Sequence, residues 1–509
     1  MNFSISIKMK SFFFFFFVGL ATEYCAAQAK EFQCPCASIG INENWADSNQ
    51  VNCFLIPVDK AYKQTSEGKF YLAVAIAAST NKTKEFPLFY LHGGPGIATL
   101  GNLASYLKSP TWKLLRQKHD LVFFDYRGTG FSQPNLCNDL SDSLSAFART
   151  NPTPDAFKEK EVLLYQRCRE KLLSEGIQLE TFSSLQFAAD VEAVRKSLKI
   201  KKWGIYSVSY GTTVALNIIR SFPKDLKAVI LDSPFPPNAP WVDFVRPFDT
   251  CFKVLENNLE QDEATAKQFS NLRSQFASAV KRLNEKPAKL IMKAKNDSAI
   301  QLNYTGDDFA WSIWSAMLKP KAIPFVPLAI QEVANGNDSV LQLWSTAFSS
   351  PDAHGKFSPT QSNAILCFEG KPQNPEDGRE ALLKAYPEFS SFNSGFNIPV
   401  CEVWRPDLPS AKIFEPVKSN LPVLILAGEY DPVCPPFFGE LAAKTLSRST
   451  FLTIPSASHA AINADDCVRK LADQFFSDPA KKLALNCISK RSKIRFLQND
   501  LYTALKNYQ

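Results

Sequence analysis

Short apolar runs that read as buried strands recur in two stretches of this chain, separated by a long region of different pattern. In the first stretch, residues 70–233, runs such as Pro87-Leu88-Phe89-Tyr90-Leu91, Trp203-Gly204-Ile205-Tyr206 and Val229-Ile230-Leu231 alternate with segments of helical period. That alternation predicts a mainly parallel sheet with crossover helices, an α/β fold. From about 236 to 415 the pattern turns helical and polar, with a lysine-rich stretch at 281–295. Strand-like runs return at Pro422-Val423-Leu424-Ile425-Leu426-Ala427 and Thr450-Phe451-Leu452-Thr453-Ile454. The expected organisation is one α/β domain, 70–235 and 416–509, interrupted after its sixth strand by a large, mostly helical cap, 236–415. Residues 30–69 form a separate N-terminal arm in this reading.

Candidate chemistry sits at the strand ends. Ser207-Val208-Ser209-Tyr210-Gly211 lies between a strand run and the helix-like run 212–222. A serine flanked two residues away on each side by small residues, at a strand-to-helix turn, is a nucleophile elbow. Ser207 stands where glycine is usual, a mild departure because serine is also small. On this elbow the acid and then the base follow the serine in the chain, each after a later strand. Asp431 follows the run 422–427, and His459 follows the run 450–454. Of the four histidines, His92, His119, His354 and His459, only His459 lies beyond Asp431. Ser209 is then the nucleophile, and His459 takes its proton and later returns it to the leaving group. Asp431 holds the imidazole tautomer and stabilises its charged form. Asp232 competes for the acid role because it too ends an apolar run, and Glu429 is a weaker third.

An oxyanion hole needs two N–H donors aimed at the developing charge. One is the N–H of Tyr210, directly after the nucleophile. For the second, the run 87–91 leads into the glycine-rich loop His92-Gly93-Gly94-Pro95-Gly96, where Gly94 is the chosen donor and Gly93 the alternative. His92 is expected to brace this loop. A phosphate-binding reading of the glycines lacks the lysine and spacing such loops use.

His-Gly-Gly-Pro-Gly at 92–96, Asp125-Tyr126-Arg127-Gly128-Thr129-Gly130-Phe131-Ser132, the Ser-Tyr-Gly elbow at 209–211 and Gly-Glu-Tyr-Asp-Pro-Val at 428–433 together resemble the prolyl iminopeptidase and tripeptidyl aminopeptidase family. The likeness covers roughly 70–240 and 415–490. It implies an α/β-hydrolase fold and release of amino-terminal residues or short peptides from peptides with a free N-terminus. The tail between Cys467 and Cys487 resembles the secreted tripeptidyl aminopeptidase branch. Proximity and this resemblance suggest the pairs Cys137 with Cys168, Cys367 with Cys401, and Cys467 with Cys487. Cys34, Cys36 and Cys53 would tie down the arm, leaving the pairing of Cys251 and Cys434 open, and Cys434, three residues after Asp431, is expected to be structural. An aminopeptidase must hold a substrate ammonium, which a carboxylate in a partly dry pocket does through charge-assisted hydrogen bonds. Glu369, preceded by Ile365-Leu366-Cys367-Phe368, is the candidate, against the plainer role of a surface glutamate. Phe309, Trp311 and Trp314 have helical spacing and read as cap core rather than substrate wall.

Composition narrows the setting. Lys8 and Lys10 precede an apolar core at 12–20 that contains six consecutive phenylalanines, and Ala27-Gln28-Ala29 offers a small-x-small cleavage site. This pattern predicts a cleavable signal peptide over 1–29, too short to span a bilayer, and a secreted or periplasmic protein without stable membrane insertion. Twelve cysteines in an exported chain argue for disulfides. The formal charge of +7 is mild for 509 residues and gives no case for nucleic acid. No cofactor is called for, and Cys34-Pro35-Cys36 has the wrong spacing for zinc. Asn81, Asn296, Asn303 and Asn337 begin glycosylation sequons. A carboxylesterase or lipase uses the same triad and is the alternative activity. A non-catalytic binding protein on this fold would commonly lack one triad member, whereas all three are present here.

Overall fold

The computed structural model describes residues 30–508 except 63–67, 82–84, 138, 149, 151, 240–244, 294–298, 349–356, 371–383, 385–397 and 405–409. The signal-peptide expectation over 1–29 and the sequon at Asn296 lie outside the described residues.

The strands in chain order are β1 Gln33–Cys34, β2 Val51–Asp59, β3 Lys69–Ala77, β4 Leu88–Leu91, β5 Leu121–Phe124, β6 Trp203–Val208, β7 Leu226–Asp232, β8 Ala288–Lys293, β9 Ala299–Tyr304, β10 Val423–Gly428 and β11 Ser449–Ile454. Nine of them form one sheet in the order β1-β2-β3-β5-β4-β6-β7-β10-β11. The pairs from β1 to β5 through β2 and β3 are antiparallel, and every pair from β5 to β11 is parallel. Strands β6, β7 and β10 read as unbroken apolar runs because both faces of the sheet are covered by helices. Alternation still sorts the side chains: Ile425 joins the core on one face, while Leu424 and Leu426 join the core on the other.

The arm belongs to the sheet, since it supplies β1 and β2. The periodicity that marks later strands is missing from β1, which has only two residues. The insert follows β7, the sixth strand if that short β1 is left aside. The suggested disulfides Cys137–Cys168, Cys367–Cys401 and Cys467–Cys487 are present, and Cys36–Cys53 is a fourth. Cys34 sits opposite Cys53 in the β1–β2 register yet remains a free thiol, as do the buried Cys251 and Cys434.

The insert packs as two groups. Helices Val245–Leu259, Leu272–Glu285, Gly306–Met317, Val326–Ala334 and Asp338–Phe348 surround a core of their own that includes Phe309, Trp344 and Phe348. Leu501 and Leu505 of the C-terminal helix Leu501–Tyr508 complete that core, so the end of the chain packs on the cap. Trp311 and Trp314 pack at its edge, with ring centroids 5.2 Å apart. The later part of the insert, Pro359–Ile365 and Ile398–Trp404, instead packs against helix Pro154–Ser174, which precedes β6 in the chain. Arg169 Nε donates to Trp404 O at 3.0 Å, and the Tyr165 and Trp404 rings meet edge to face at 5.8 Å.

Candidate active site

The ends of β6, β7, β10 and β11 are neighbours in the sheet, and their loops carry the candidate chemistry. Ser209 follows β6 with φ 55° and ψ −130°, a conformation that L residues avoid and that a sharp strand-to-helix turn imposes. The turn is pinned by Ser209 N–H donating to Asp232 O at 3.0 Å. Gly211 has no alternative, because a Cβ there would stand 2.1 Å from Leu91 O. Ser207 is tolerated in place of glycine because its buried hydroxyl donates to Ile230 O at 2.8 Å. Tyr210 opens helix Tyr210–Ser221, so its N–H lies in the first turn, at the positive end of the helix dipole.

Asp431 is fully buried at the turn after β10. Its Oδ1 accepts from the N–H groups of Val433 at 2.9 Å and Cys434 at 2.8 Å, and its Oδ2 lies 2.8 Å from His459 Nδ1. Burial opposes its ionisation, but the facing imidazole and those two N–H donors outweigh burial and hold the carboxyl below its ordinary value. Burial likewise opposes charging of His459, and the Asp431 carboxylate outweighs it, raising the imidazole above 6.5. Asp232 is placed differently. Its Oδ2 accepts from Tyr206 Oη at 3.1 Å and from the Ile462 N–H at 3.2 Å, and Oδ1 has no hydrogen-bond partner among the described residues. Burial pushes it up to about 7. Glu429 accepts the Ser456 N–H at 2.7 Å, bracing the acid loop against the histidine loop.

The glycine-rich loop crosses directly over the serine. An added Cβ on Gly93 would lie 2.6 Å from Ser209 Cβ, and Gly94 has φ +124°. His92 Nδ1 lies 3.2 Å from Gly93 O, and its ring packs on Tyr90 and Tyr106. Behind this loop, Asp125 accepts from the N–H groups of Thr99, Leu100 and Phe131 at 2.7, 2.9 and 3.0 Å. The insert reaches the same loop through Ser358 N–H, which donates to Gly96 O at 2.8 Å.

Glu369 is 1% exposed, next to Cys367 of the Cys367–Cys401 disulfide. Its Oε1 accepts from both the N–H and the hydroxyl of Ser184 at 2.7 Å, and the carboxylate lies beside the Tyr210 side chain. Burial raises it to about 7 against the lowering effect of those donors. Sequence reasoning missed Ser184, Ser233 and Ser458, whose hydroxyls bond Glu369, the Ala460 N–H and Tyr430 O respectively. It gave Cys434 only a structural role, with no neighbour named. That thiol lies beside the Ser209 hydroxyl, and burial keeps it well above the ordinary thiol range.

Residues 87–463 match the family described as alpha/beta hydrolase fold. The chain belongs to that family. As a serine hydrolase of this fold it has relatives with peptidase and esterase names. Serine protease Hip1 of Mycobacterium tuberculosis is 23% identical over 414 residues, covering 74% of this chain and 75% of that one. Tripeptidyl aminopeptidase of Streptomyces lividans is 24% identical over 434 residues, covering 77% and 74%. Carboxylesterase B of Mycobacterium tuberculosis is 22% identical over 453 residues, covering 85% and 86%. Among its described residues this hydrolase has four disulfides and no helix long and apolar enough to cross a membrane.

Proposed function

We propose that the protein is a secreted serine exopeptidase that releases amino-terminal residues or di- and tripeptides from oligopeptides. The observation that carries the reading is the 2.8 Å pair of His459 and buried Asp431, at the ends of strands in the same sheet as the strained Ser209 elbow. Names of relatives, serine protease Hip1 and tripeptidyl aminopeptidase, favour a peptide amide as the bond that is cut. Ser209 Oγ attacks the carbonyl while His459 takes its proton, and the N–H groups of Tyr210 and Gly94 receive the oxyanion. His459 then protonates the departing amine, and water, activated by the same imidazole, releases the acyl group from Ser209. Four disulfides suit an oxidising compartment, in keeping with the signal peptide read at 1–29.

Glu369 is the acid we assign to the substrate ammonium. Ser184 already occupies its Oε1, so the assignment requires the ammonium to meet the other oxygen. A panel of fluorogenic di- and tripeptide amides, each with a free and an acetylated amine, tests the reading. Acetylation is expected to lower kcat/KM at least about tenfold, because removing one partner of a buried ion pair costs a few kcal/mol. That penalty should shrink in Glu369→Gln. Equal cutting of both forms would exclude aminopeptidase action, and persistence of the preference in Glu369→Gln would exclude only the residue. The second reading, a carboxylesterase, rests on the 86% coverage of carboxylesterase B; it gains if acyl esters are cleaved and the free-amine peptides are not.

A further inference from the structure

The loop that carries His459 is fastened to the sheet and to the cap by different atoms. On the sheet side the Ala460 N–H donates to Ser233 Oγ at 2.9 Å, and the Ile462 N–H donates to Asp232 Oδ2 at 3.2 Å. Between them, the histidine loop and the acid loop are packed backbone to backbone. A Cβ on Gly428 would stand 2.1 Å from Ser458 O, and the Tyr430 N–H donates to Ala457 O at 2.8 Å. The two loops therefore have no room to move independently.

On the cap side the connection is the hydroxyl of Ser458, the residue before His459. Ser458 is 1% exposed, and its Oγ lies 2.6 Å from Met317 O and 3.1 Å from Tyr430 O. Met317 is the last residue of cap helix Gly306–Met317, so its carbonyl has no acceptor duty within the helix and is open to an outside donor. Tyr430 is itself part of the cap core, and the Cys251 thiol of cap helix Val245–Leu259 lies 3.0 Å from the same Tyr430 O. A serine hydroxyl has one proton to donate. It can give that proton to the cap through Met317 or to the acid loop through Tyr430, and the shorter contact is with the cap. If the cap helix withdrew, the buried hydroxyl would still have an acceptor, so release need not leave an unpaired group.

We propose that Ser458 is a positioning residue for His459: its hydroxyl ties the base to the end of a cap helix, so that the imidazole is held in its working place while the cap is seated. The proposal rests on the reading of His459 as the base. It assigns to the cap a part in the chemical step. A plain helix-end bond would affect stability alone.

The test compares wild type with Ser458→Ala and Ser458→Cys on a free-amine tripeptide amide, with kcat counted per site titrated by a fluorophosphonate so that unfolded enzyme does not enter the rate. Small misplacements of a catalytic group cost one to two orders of magnitude, so Ser458→Ala is expected to lower kcat about tenfold. KM should change less than about twofold, and the acid limb of the kcat/KM profile, which reports His459, should move. Ser458→Cys keeps the side-chain shape with a weaker donor and should fall between the two, which also covers an alanine variant that folds poorly. A lower Tm with wild-type kcat and pH profile in both variants would overturn the proposal and leave Ser458 as a helix-end donor. Ser209→Ala and His459→Ala are run beside them: if either kept wild-type turnover, the catalytic reading and the proposal would fall together, whereas their inactivity with unchanged Ser458 variants would sink the proposal alone.

Discussion

The ends of β7 and β10 each present a fully buried aspartate within the same cluster of loops, and the two carboxyls are shifted in opposite directions. Asp431 at β10 has the His459 imidazole on one oxygen and two backbone N–H groups on the other, and its carboxyl lies below the ordinary value. Asp232 at β7 has one tyrosine hydroxyl and one N–H on Oδ2 and no partner on Oδ1 among the described residues, and burial takes it to about 7. Burial alone therefore does not make a catalytic acid. What separates the two is the imidazole hydrogen-bonded to Asp431 at 2.8 Å, where the partners of Asp232 are a hydroxyl and backbone N–H groups.

The largest expected effect breaks the pair at Asp431. An amide in its place cannot stabilise the imidazolium formed during attack, and comparable replacements cost about 10⁴ in kcat. Asp431→Asn should lose turnover on that order, while Asp232→Asn, which leaves the 2.8 Å pair intact, should lose about tenfold or less. Steady-state rates on one peptide amide decide it, with circular dichroism to exclude misfolding. Reversed losses would transfer the acid role to the end of β7.

The second effect is on stability against pH, and the signs of the two sites are opposed. The folded value of Asp232 is raised, so its contribution is fully present below the ordinary 3.8 and is lost as pH rises through about 7. Asp431 is lowered in the folded state, so its contribution is present above 3.8 and is lost as pH falls through the lower folded value. Thermal midpoints under non-reducing conditions should therefore decline less steeply between about pH 4 and pH 7 in Asp232→Asn than in wild type. An unchanged slope would mean that Asp232 is ionised throughout that range.

These strand ends were legible in the sequence because their grammar is local. An apolar run, a turn residue and a chemical group fall within about ten residues of each other at Ser209, Asp431 and His459, and Gly211 is required by one close backbone approach. Partners across the chain were not legible. Glu369 meets Ser184 across 185 positions, and nothing around either residue announces the other. The helix Pro154–Ser174 that receives the later part of the insert comes from before β6, so a linear division at 236 separates elements that pack together. Three arm cysteines allowed several pairings, and Cys36 is bonded to Cys53 although Cys34 sits opposite it in the β1–β2 register. The hydroxyls that hold the histidine loop carry no sequence signal beyond being serines after strands.

The smallest expected effect sharpens what β7 contributes. Ser233 follows Asp232 with φ +50° and is fully buried, in the region that favours glycine. Its hydroxyl accepts the Ala460 N–H beside His459, and Ala460 itself has φ +59°. Ser233→Gly removes that acceptor while relieving the backbone, so a loss of about 1 kcal/mol for the bond is offset by a gain of similar size. Ser233→Ala loses the bond and keeps the strain, so its Tm should fall below that of the glycine variant. Both variants leave the Ala460 N–H without its acceptor, and kcat should fall a few-fold in each, independent of the change in Tm. Had the hydroxyl only a structural part, kcat would follow stability, and the glycine variant would turn over like wild type. If kcat falls equally in the two variants while Tm separates them, the end of β7 acts on catalysis through the position of the histidine loop, and the end of β10 acts through charge.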